Sequence, residues 1–508
     1  MAQGLTLYWQ PYRMFPYEQE LGLREVKAML SPETLLVGHD FIHVTTAANP
    51  RLARRLTYFR RATSNGLAFT TTQALIERTA LNGGENRQAT RYSVHGLHEY
   101  KGKFNPQVAR AVLNCLGLNR GSRILDPFCG SGTTLVECAH LNFHAVGCDL
   151  NPLAVFIAET KLEALRTPAR DVRIACTRVL QKVRRSAPTL KLDRTLRISY
   201  MKRWFSPSVL RLIEAIRFAV MEEEPTTRRI LQVITSDLLR NYSLQEPTDL
   251  RIRKRKTPMQ SQPLLAALED KARGFVDKVR KAQKLLSTMR HCDVLCVDST
   301  NPTAFRTALC AKLNLKPDSV VFNAVISSPP YASALPYIDT QRLSLIWLEL
   351  VKPERLPSLQ AELVGSREFY GKQKSEWITR FRSNADAIPA EVFSFCNRLQ
   401  KSVSANDGFR RRAVPVLLYR YLVGMQRMLR SIIPYLAESA PVALIVGHNH
   451  TTLGGKRIDI NTPLLLAALA AHEGYRSIEH VELQTYQRYS IHHRNAVSKE
   501  ELLLFRKR

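Results

Sequence analysis

The segment RILDPFCGSGTT (residues 123–134) constrains the fold of this chain more than any other part of the sequence. An apolar strand pattern ends at Asp126, a turn with Gly130 and Gly132 follows, and a helix pattern begins at Thr133. The two glycines allow the backbone to pass close to a ligand, and the N-terminus of the following helix offers free N–H groups. The segment therefore predicts a strand, a binding loop and a helix.

The residues around this unit repeat the alternation. A helix pattern, NPQVARAVLNCLGL (residues 105–118), precedes it, and a second strand and helix, HAVGCDLNPLAVFIAE (residues 144–159), follow it. Such alternation is typical of a parallel, doubly wound α/β sheet. Asp149 ends the second strand 23 residues after Asp126, at a position where a carboxylate accepts hydrogen bonds from a ribose diol.

Two alternatives remain for the glycine loop. A dinucleotide-binding enzyme would carry a third glycine in G-x-G-x-x-G, whereas Gly132 is followed by Thr133, Thr134 and Leu135, which weakens the pyrophosphate interpretation. A tight strand-to-helix turn without a ligand is the other alternative, and the acids at the two strand ends disfavour it.

A second unusual segment is VISSPPY (residues 325–331). Pro329 and Pro330 cannot donate backbone hydrogen bonds, and their φ of about −65° stops and stiffens a chain that arrives as an apolar strand. Such a corner holds neighbouring carbonyl and hydroxyl groups in fixed positions. An ordinary strand-terminating turn is the alternative.

The charge of the chain predicts a polyanionic partner. Its 508 residues contain 74 Lys and Arg against 44 Asp and Glu, a formal net charge of +30, which favours nucleic acid. A membrane surface is the competing partner, but the sequence has no uninterrupted apolar run of about 18 residues. Its first residues also lack the basic start and apolar middle of a signal peptide. We expect a soluble cytoplasmic protein that binds nucleic acid and does not bind membranes.

The length suggests more than one domain, or one large domain with insertions. Residues 1–90 predict an N-terminal α+β domain with a possible nucleic-acid-binding role. Residues 91–160 and 291–508 predict the two parts of the doubly wound domain, and residues 161–290 predict a mainly helical, basic insertion that is a candidate target-recognition region. The polar, poorly periodic stretch near 350–412 predicts a loop or a smaller insertion.

Three patterns stand out in the N-terminal domain. PYEQELGLREVKAML predicts a helix and ETLLVGHDFIHVTT predicts strands. RLARRLTYFRRA (residues 51–62) predicts a basic helix. That helix would present either a solvated face or Tyr58 and Phe59 as stacking surfaces for bases.

Nine cysteines are scattered along the chain without paired C-x-x-C knuckles. We therefore expect reduced thiols and no metal site. Cys292 and Cys296 lie in HCDVLCVDST, which predicts a strand, and we expect both to pack as small apolar side chains.

The segment DLRIRKRKTP (residues 249–258) concentrates positive charge. Adjacent cations repel one another unless an anion lies nearby, so the segment predicts a loop that follows phosphate groups, with a solvated turn or a targeting run as alternatives. Such contacts give affinity rather than sequence choice. The cations are Arg251, Arg253, Lys254, Arg255 and Lys256.

Together, DPFCGSGTT, GCDLNPLA and SSPPY resemble the amino-methyltransferase family of DNA modification enzymes that depend on S-adenosyl-L-methionine (AdoMet). HEYKGKFNPQ (residues 98–107) is similar to the segment that closes over AdoMet in that family. The resemblance covers residues 91–160 and 292–345, and more loosely 413–508. It implies a Rossmann-like class I methyltransferase fold, and the SPPY form implies the N4-cytosine type.

The resemblance also implies roles for individual residues. The loop from Asp126 to Gly132 would wrap the methionine end of AdoMet, Asp149 would bind the ribose hydroxyls, and Asp298 in CVDST would bind the adenine amino group. If CVDST ends the third strand, the whole basic insertion separates the second strand from the third, which is unusual in the family. The alternative is that CVDST is not the strand end that binds adenine. The implied cofactor-binding residues are Lys103, Phe104, Asp126, Pro127, Phe128, Gly130, Ser131, Gly132, Thr133, Asp149, Leu150 and Asp298, and the implied catalytic residues are Ser328, Pro329, Pro330 and Tyr331.

The activity implied by the resemblance is site-specific methyl transfer from AdoMet to the exocyclic N4 of cytosine in DNA after base flipping. Ser328 stands where adenine-N6 enzymes more often carry Asp or Asn, which favours cytosine. The alternatives are adenine N6 in DNA, an amino group in tRNA or rRNA, and a nucleic-acid-binding protein with an inactive methyltransferase fold. The sequence leaves the recognition site, a restriction or defence-system partner and the oligomeric state open.

Overall fold

The computed structural model describes most of the chain. Within the described residues, no helix is both long enough and apolar enough to cross a bilayer. The described residues are 2–78, 88–100, 102, 105–246, 249, 252–257, 262–286, 289–316, 319, 321–332, 337–484 and 499–508.

An antiparallel sheet with one long helix forms the N-terminal part of the chain. It contains β1 (Gln3–Trp9), α1 (Pro16–Leu30), β2 (Thr34–Val37), β3 (Phe41–Thr46), a 3-10 helix (Pro50–Arg55), β4 (Phe59–Ser64), β5 (Leu67–Thr70) and α2 (Thr72–Arg78). The strand order is β2-β3-β1-β4-β5. Leu5 and Leu7 alternate along β1 and belong to the same buried cluster as Leu21 of α1. The helix and strands predicted before residue 47 are confirmed.

The prediction of a basic helix at residues 51–62 is wrong. The 3-10 helix ends at Arg55, and β4 begins at Phe59. Tyr58 and Phe59 are fully buried, and the Phe59 ring stacks on Trp9 with ring centroids 4.2 Å apart. These rings cannot stack on bases, because the core of the N-terminal sheet holds them.

Residues 106–166 follow the predicted alternation of helix and strand. Asn105 and Asn151 each precede a proline, and each caps the helix that starts there. Their Oδ1 atoms accept hydrogen bonds from the N–H groups of Gln107 at 2.8 Å and Leu153 at 3.1 Å. The elements are α3 (Pro106–Cys115), β6 (Arg123–Asp126), α4 (Thr133–His140), β7 (His144–Asp149) and α5 (Pro152–Arg166).

The basic segment between β7 and the next strand is helical wherever it has regular structure among the described residues. On its first helix, Val172, Val179 and Val183 are buried while Arg173 and Arg184 are exposed, so the cations occupy the face opposite the apolar stripe. Its helices are α6 (Ala169–Ser186), α7 (Leu196–Lys202), α8 (Pro207–Met221), α9 (Pro225–Tyr242) and α10 (Leu264–Leu285).

The stretch near 350–412, which the sequence predicts to be a loop or a small insertion, contains helices. The helical pattern is weak here because α14 buries only Phe381. The elements that follow α10, up to this stretch, are β8 (Cys292–Cys296), α11 (Pro302–Leu313), β9 (Ala324–Ser327) and α12 (Tyr337–Trp347). The stretch itself contains a 3-10 helix (Pro353–Arg355), α13 (Leu356–Glu362), α14 (Gln373–Arg382), α15 (Ala390–Lys401) and α16 (Phe409–Arg412).

The remaining residues contain a long helix followed by a strand, and later a final helix and two strands. A short β-hairpin lies between them and was not predicted. The elements are α17 (Val414–Ile432), a 3-10 helix (Ile433–Tyr435), β10 (Pro441–Gly447), β11 (Asn449–Leu453), β12 (Lys456–Ile460), α18 (Thr462–His472), β13 (Tyr475–Gln484) and β14 (Lys499–Lys507).

The central sheet has the order β13-β14-β10-β9-β6-β7-β8. Neighbouring strands are parallel from β10 to β8, and β14 is antiparallel to both β10 and β13. This confirms the expected Rossmann-like class I methyltransferase fold, with the mainly helical, basic segment inserted between β7 and β8. The carboxyl ends of five parallel strands therefore meet at one edge of the sheet.

We predict that Gly147→Ala destabilises this sheet. Gly147 lies in β7, where an added Cβ would lie 2.7 Å from Cys129 Cβ and 2.7 Å from Leu135 Cδ1. Overpacking of this kind costs about 1–3 kcal/mol. The matched control is Gly274→Ala in the exposed middle of α10, where no atom lies within 4 Å and alanine should stabilise the helix by about 0.5–1 kcal/mol. Chemical denaturation of both variants measures the difference, and an equal effect at the two sites would contradict it.

Candidate active site

A cavity opens at the carboxyl edge of the parallel strands. Doubly wound sheets bind their ligands at this place, outside the carboxyl ends of the strands. The cavity is lined by Tyr100, Gly102, Pro127, Phe128, Gly130, Asp149, Leu150, Asn151, Val297, Asp298, Ser299, Ser328, Pro330, Tyr337, Leu363 and Val364.

The glycine loop and the proline corner share this cavity. The predicted site residues that line it are Pro127, Phe128, Gly130, Asp149, Leu150, Asp298, Ser328 and Pro330. Those absent from its lining are Asp126, Ser131, Gly132, Thr133, Pro329 and Tyr331. Lys103 and Phe104 lie outside the described residues. The role of each residue stays a prediction.

The glycine loop depends on backbone conformations that glycine adopts easily. The φ angle is +49° at Gly130 and +80° at Gly132. A Cβ on Gly132 would lie 2.8 Å from Ala158 Cβ, so the loop packs tightly against α5. The Gly130 N–H donates to Asp149 Oδ2 at 3.0 Å, which fixes the loop after β6 to the end of β7.

The Asp149 carboxylate is held by two backbone N–H groups. Besides the bond from Gly130, its Oδ1 accepts a hydrogen bond from the Asn151 N–H at 2.8 Å. Burial raises the pKa of Asp149 to about 6, although both backbone bonds favour the ionised form. A carboxylate oxygen can accept more than one hydrogen bond, so Asp149 can also bind vicinal hydroxyls of a ligand in the cavity.

Asp126 connects the glycine loop to the proline corner. It is 1% exposed, and its Oδ1 accepts hydrogen bonds from Ser327 Oγ at 2.6 Å and from the Phe128 N–H at 3.2 Å. Burial raises the pKa of Asp126 to about 6. Ser327 is the last residue of β9 and directly precedes Ser328, so this bond sets the spacing between the two loops.

Lys161 holds the glycine loop by hydrogen bonds to Ser131. The sequence did not predict this role. This α5 side chain is fully buried, and its Nζ donates to the Ser131 carbonyl oxygen at 2.7 Å and lies 3.2 Å from Ser131 Oγ. A lysine within a helix pattern indicates a solvated position, and no local pattern connects it to a loop 30 residues earlier.

Asp298 follows the third parallel strand. The pairing of β8 with β7 shows that CVDST ends this strand, so the alternative considered above is excluded. Asp298 Oδ1 accepts hydrogen bonds from the Thr300 N–H at 2.9 Å and Thr300 Oγ1 at 2.8 Å. Asp298 therefore presents a fixed carboxylate to the cavity, on the strand next to Asp149.

The proline corner is held on both sides by residues far away in the sequence. The Tyr331 hydroxyl donates to the Glu500 carboxylate of β14, and the Asn449 side-chain amide donates to the Ala332 carbonyl oxygen. Burial raises the pKa values of both Tyr331 and Glu500. Gly365 has a φ of +76°, and a Cβ there would lie 2.6 Å from the Tyr331 carbonyl oxygen, so the chain after α13 packs directly on the corner.

Eight residues complete the wall of the cavity and were not predicted as site residues: Tyr100, Gly102, Asn151, Val297, Ser299, Tyr337, Leu363 and Val364. Tyr100 belongs to the segment HEYKGKFNPQ, whose resemblance to the AdoMet-closing segment was an available signal. A Cβ on Gly130 would lie 3.4 Å from Tyr100 Cε1. Leu363 and Val364 come from the stretch with weak periodicity, where no sequence signal indicated a site.

The basic loop lies partly outside the described residues, since Arg251 is not among them. Arg253, Lys254 and Lys256 are exposed, as a phosphate-binding loop requires. Arg255 is only partly exposed, and its guanidinium donates to the Ser243 carbonyl oxygen at 3.2 Å.

The base of this loop is attached to the helix that begins at the cavity. Gln245 and Lys254 form an antiparallel bridge, and Gln245 Nε2 donates to the Asp339 carbonyl oxygen at 2.8 Å. Asp339 lies in the first turn of α12, two residues after Tyr337, which lines the cavity. The loop is therefore held close to the candidate site.

A buried cluster of His95, Glu137 and His140 has atoms close enough together to hold a metal ion, although the sequence predicts no metal site. Glu137 Oε1 lies 2.8 Å from His95 Nε2 and 3.2 Å from His140 Nδ1, and Oε2 accepts a hydrogen bond from Arg110 at 3.1 Å. Burial alone would raise the pKa of Glu137, but His140, His95 and Arg110 hold it well below its usual range. Because Arg110 already balances the carboxylate charge, we interpret the cluster as a polar anchor for α4.

Parts of the chain are similar to known methyltransferases. Residues 97–194 match the family model described as UPF0020: RMKL-like, methyltransferase domain. Type II methyltransferase M.BsoBI of Geobacillus stearothermophilus is 26% identical over 307 residues, 56% of this chain and 58% of that protein. Type II methyltransferase M.MjaII of Methanocaldococcus jannaschii is 49% identical over 70 residues, 14% of this chain and 13% of that protein.

A relative of a different kind matches a shorter region. The tRNA (guanine(10)-N2)-dimethyltransferase of Methanothermobacter thermautotrophicus is 36% identical over 83 residues, 15% of this chain and 25% of that protein. The chain covers less than two thirds of the length of each of these three relatives.

AdoMet is the cofactor implied by the matched domain, and the residues of the cavity fit it. Asp149 and Asp298 offer carboxylate acceptors for hydroxyl and amino groups, and Gly130 presents backbone without a Cβ. Phe128, Val297 and Pro330 supply apolar surface for a purine ring.

We predict that AdoMet affinity falls as the pH falls through about 6. Burial raises the pKa of Asp149 to about 6 from 3.8, so protonation removes a carboxylate acceptor in that range and the Kd should rise by up to about tenfold per pH unit. The free protein is not destabilised by this step, because between pH 6 and 3.8 the folded state binds the proton more tightly than the unfolded state.

Calorimetric titration of AdoMet between neutral and mildly acidic pH tests this prediction. Asp149→Asn is the control, since it should bind AdoMet weakly at neutral pH and lose the dependence. A wild-type Kd that stays constant through this range would contradict the role of the Asp149 carboxylate.

Proposed function

We propose that this protein is a DNA methyltransferase that transfers a methyl group from AdoMet to the exocyclic N4 of cytosine in a specific sequence, after the base is flipped out of the duplex. The observation that carries the proposal is the shared cavity. Ser328 and Pro330 of the proline corner line the same cavity as Gly130 and Asp149, so a nucleobase held by the corner would lie next to the cofactor.

DNA is the substrate favoured by the extent of the similarities. The Type II methyltransferase M.BsoBI aligns with 56% of this chain, whereas the tRNA methyltransferase aligns with 15%. The longer alignment reaches beyond the AdoMet-binding residues, while the shorter one is confined to a small part of the chain. The exposed cations of the basic loop suit a phosphate backbone.

The proline corner accounts for the chemistry. The amino group of cytosine is a poor nucleophile because its lone pair is delocalised into the ring. Acceptors placed around that amino group draw its hydrogens and favour a more tetrahedral nitrogen, whose lone pair can then point at the methyl group. Ser328 supplies a hydroxyl acceptor and Pro329 supplies a carbonyl acceptor. When bound, AdoMet supplies an electrophilic methyl group on a sulfonium.

Cytosine N4 is preferred over adenine N6 because of Ser328, which stands where adenine-specific enzymes more often carry Asp or Asn. No strong base is required, since the proton can leave after the nitrogen has become cationic. Tyr331 would provide a flat surface for the extruded base, and its bond to Glu500 fixes the direction of the ring.

An amino-group methyltransferase acting on RNA is the second candidate, because a tRNA methyltransferase is 36% identical over 83 residues. Incubation with labelled AdoMet and either DNA or RNA, followed by digestion to nucleosides, distinguishes the candidates. We expect label in N4-methyl-2′-deoxycytidine from DNA. Label in N6-methyl-2′-deoxyadenosine from DNA would overturn the choice of base, and label only in RNA would overturn the choice of substrate.

We predict that Tyr331→Ala lowers kcat/KM for DNA by about 10–100-fold, the effect of losing about 1–3 kcal/mol of base stacking. Tyr331→Phe keeps the ring and loses only the bond to Glu500, so its loss should be much smaller. AdoMet affinity, measured by calorimetry, should be unchanged in both variants, which controls for the fold. Equal losses in the two variants would assign the role of Tyr331 to its hydroxyl and contradict stacking.

A further inference from the structure

Three cations surround two aromatic rings on the helical segment beside the site. Tyr200 lies in α7 and Trp204 follows that helix. The Arg342 guanidinium of α12 lies 5.2 Å from the Tyr200 ring centroid and 4.8 Å from the Trp204 centroid. Lys254 Nζ lies 6.0 Å from the Trp204 centroid, and the Arg203 guanidinium lies 5.9 Å from the Tyr200 centroid. We name these five residues the cation–aromatic patch.

The charges of the patch have no acidic partner at ion-pair distance among the described residues. Arg197, on the same helix as Tyr200, differs, since it lies 2.5 Å from Glu214 and 3.1 Å from Glu349. Asp339 is the acid whose charge Arg342 influences, but the two groups form no ion pair within 4.0 Å. Three cations that have no ion-paired acid repel one another unless an anion binds between them.

Arg342 is prepared for an anion by its contacts. Its Nε donates to the Tyr200 hydroxyl, and the Tyr200 and Trp204 rings fix the guanidinium by cation–π contact. Its two terminal nitrogens have no hydrogen-bond partner in the described part of the chain. A guanidinium held in this way, with both terminal nitrogens available, matches the bidentate geometry of phosphate oxygens.

The patch is continuous with the candidate active site through α12. That helix starts at Tyr337, which lines the cavity, and Gln341 accepts a hydrogen bond at 2.5 Å from Asn151, another lining residue. Arg342 is the next residue, about 7.5 Å along the helix axis from Tyr337 at about 1.5 Å per residue. The basic loop that carries Lys254 is attached to the same helix through Gln245 and Asp339.

We propose that the cation–aromatic patch binds the phosphodiester backbone of the DNA strand that carries the target base, with Arg342 as a bidentate phosphate ligand and Lys254 and Arg203 beside it. The choice of DNA rests on the proposed function, whereas the recognition of a phosphodiester rests on the patch itself. The patch holds the strand next to the cavity, so that a base extruded from this strand lies close to the cavity.

The test is the salt dependence of binding to a short mixed-sequence DNA duplex and to the matching RNA duplex, measured by fluorescence anisotropy with S-adenosylhomocysteine present. Each phosphate contact contributes about 0.9 to the slope of log K against log salt concentration. We expect Arg342→Gln and Lys254→Gln each to lower the DNA slope by about that amount and to weaken binding several-fold at low salt. Lys182→Gln is the control, because that exposed lysine of α6 already pairs with Glu222 at 2.7 Å.

The outcomes separate this inference from the proposed function. If wild-type protein methylates DNA but the slope is unchanged in both Arg342→Gln and Lys254→Gln, the inference is overturned and the proposed function stands. If wild-type protein neither methylates nor binds DNA, the proposed function fails. A slope loss seen only with RNA would overturn the choice of DNA. Lys254 is exposed, so its variant carries the test even if Arg342→Gln disturbs the fold.

Discussion

The hydrogen bond from the Gly130 N–H to the partly buried Asp149 carboxylate, 3.0 Å long, is the interaction on which the candidate site depends. A carboxylate that is partly removed from water is stabilised when its oxygens are hydrogen-bonded, and the loop that provides this bond has a positive φ at Gly130. The same loop packs Gly132 closely against α5, and its Cys129 side chain occupies the space beside Gly147, where a Cβ would collide with it. The packing of the sheet and the shape of the cofactor site are therefore one constraint, which explains why the glycines sit where a side chain would collide.

The second requirement is that the two halves of the site stay in register, although 201 residues separate them. The bond from Ser327 to Asp126 joins the ends of β9 and β6, which are adjacent parallel strands. The helical segment can enter between β7 and β8 without disturbing this bond, because its two ends connect neighbouring strands at the outer side of the sheet. It also brings Gln245 and Lys254 back to α12, so the insertion extends the site rather than only lengthening the chain.

The parts of the site that the sequence predicted are those with local signals. The strand, glycine loop and helix at 123–134 and the acid at 149 follow from short patterns, and the sheet order agrees with their alternation. Local patterns could not predict the roles of Lys161, Glu500 and Val364. Lys161 and Glu500 form hydrogen bonds with residues that are distant in the sequence, and Val364 lines a cavity formed mostly by distant residues. RLARRLTYFRRA was misjudged for a related reason: twelve residues rich in arginine fit a helical period as well as a strand, and only burial of Phe59 against Trp9 decides between them.

Net charge indicates a polyanionic partner but does not locate the surface that binds it. That surface is located by asking which individual cations are paired with acids and which are not. Within the helical segment, Arg229 lies 2.7 Å from Glu163, and Arg197 lies 2.5 Å from Glu214, so these arginines are neutralised inside the protein. Arg342 and Lys254 form no ion pair within 4.0 Å in the part of the chain that the structure describes, and they lie where α7, the basic loop and α12 meet. A base can be flipped into a cavity only if its own strand is held close by, because free rotation of the strand would make each entry a rare event. Uncompensated charge beside the cavity is therefore what a base-flipping enzyme needs, and charge elsewhere on the same segment is not.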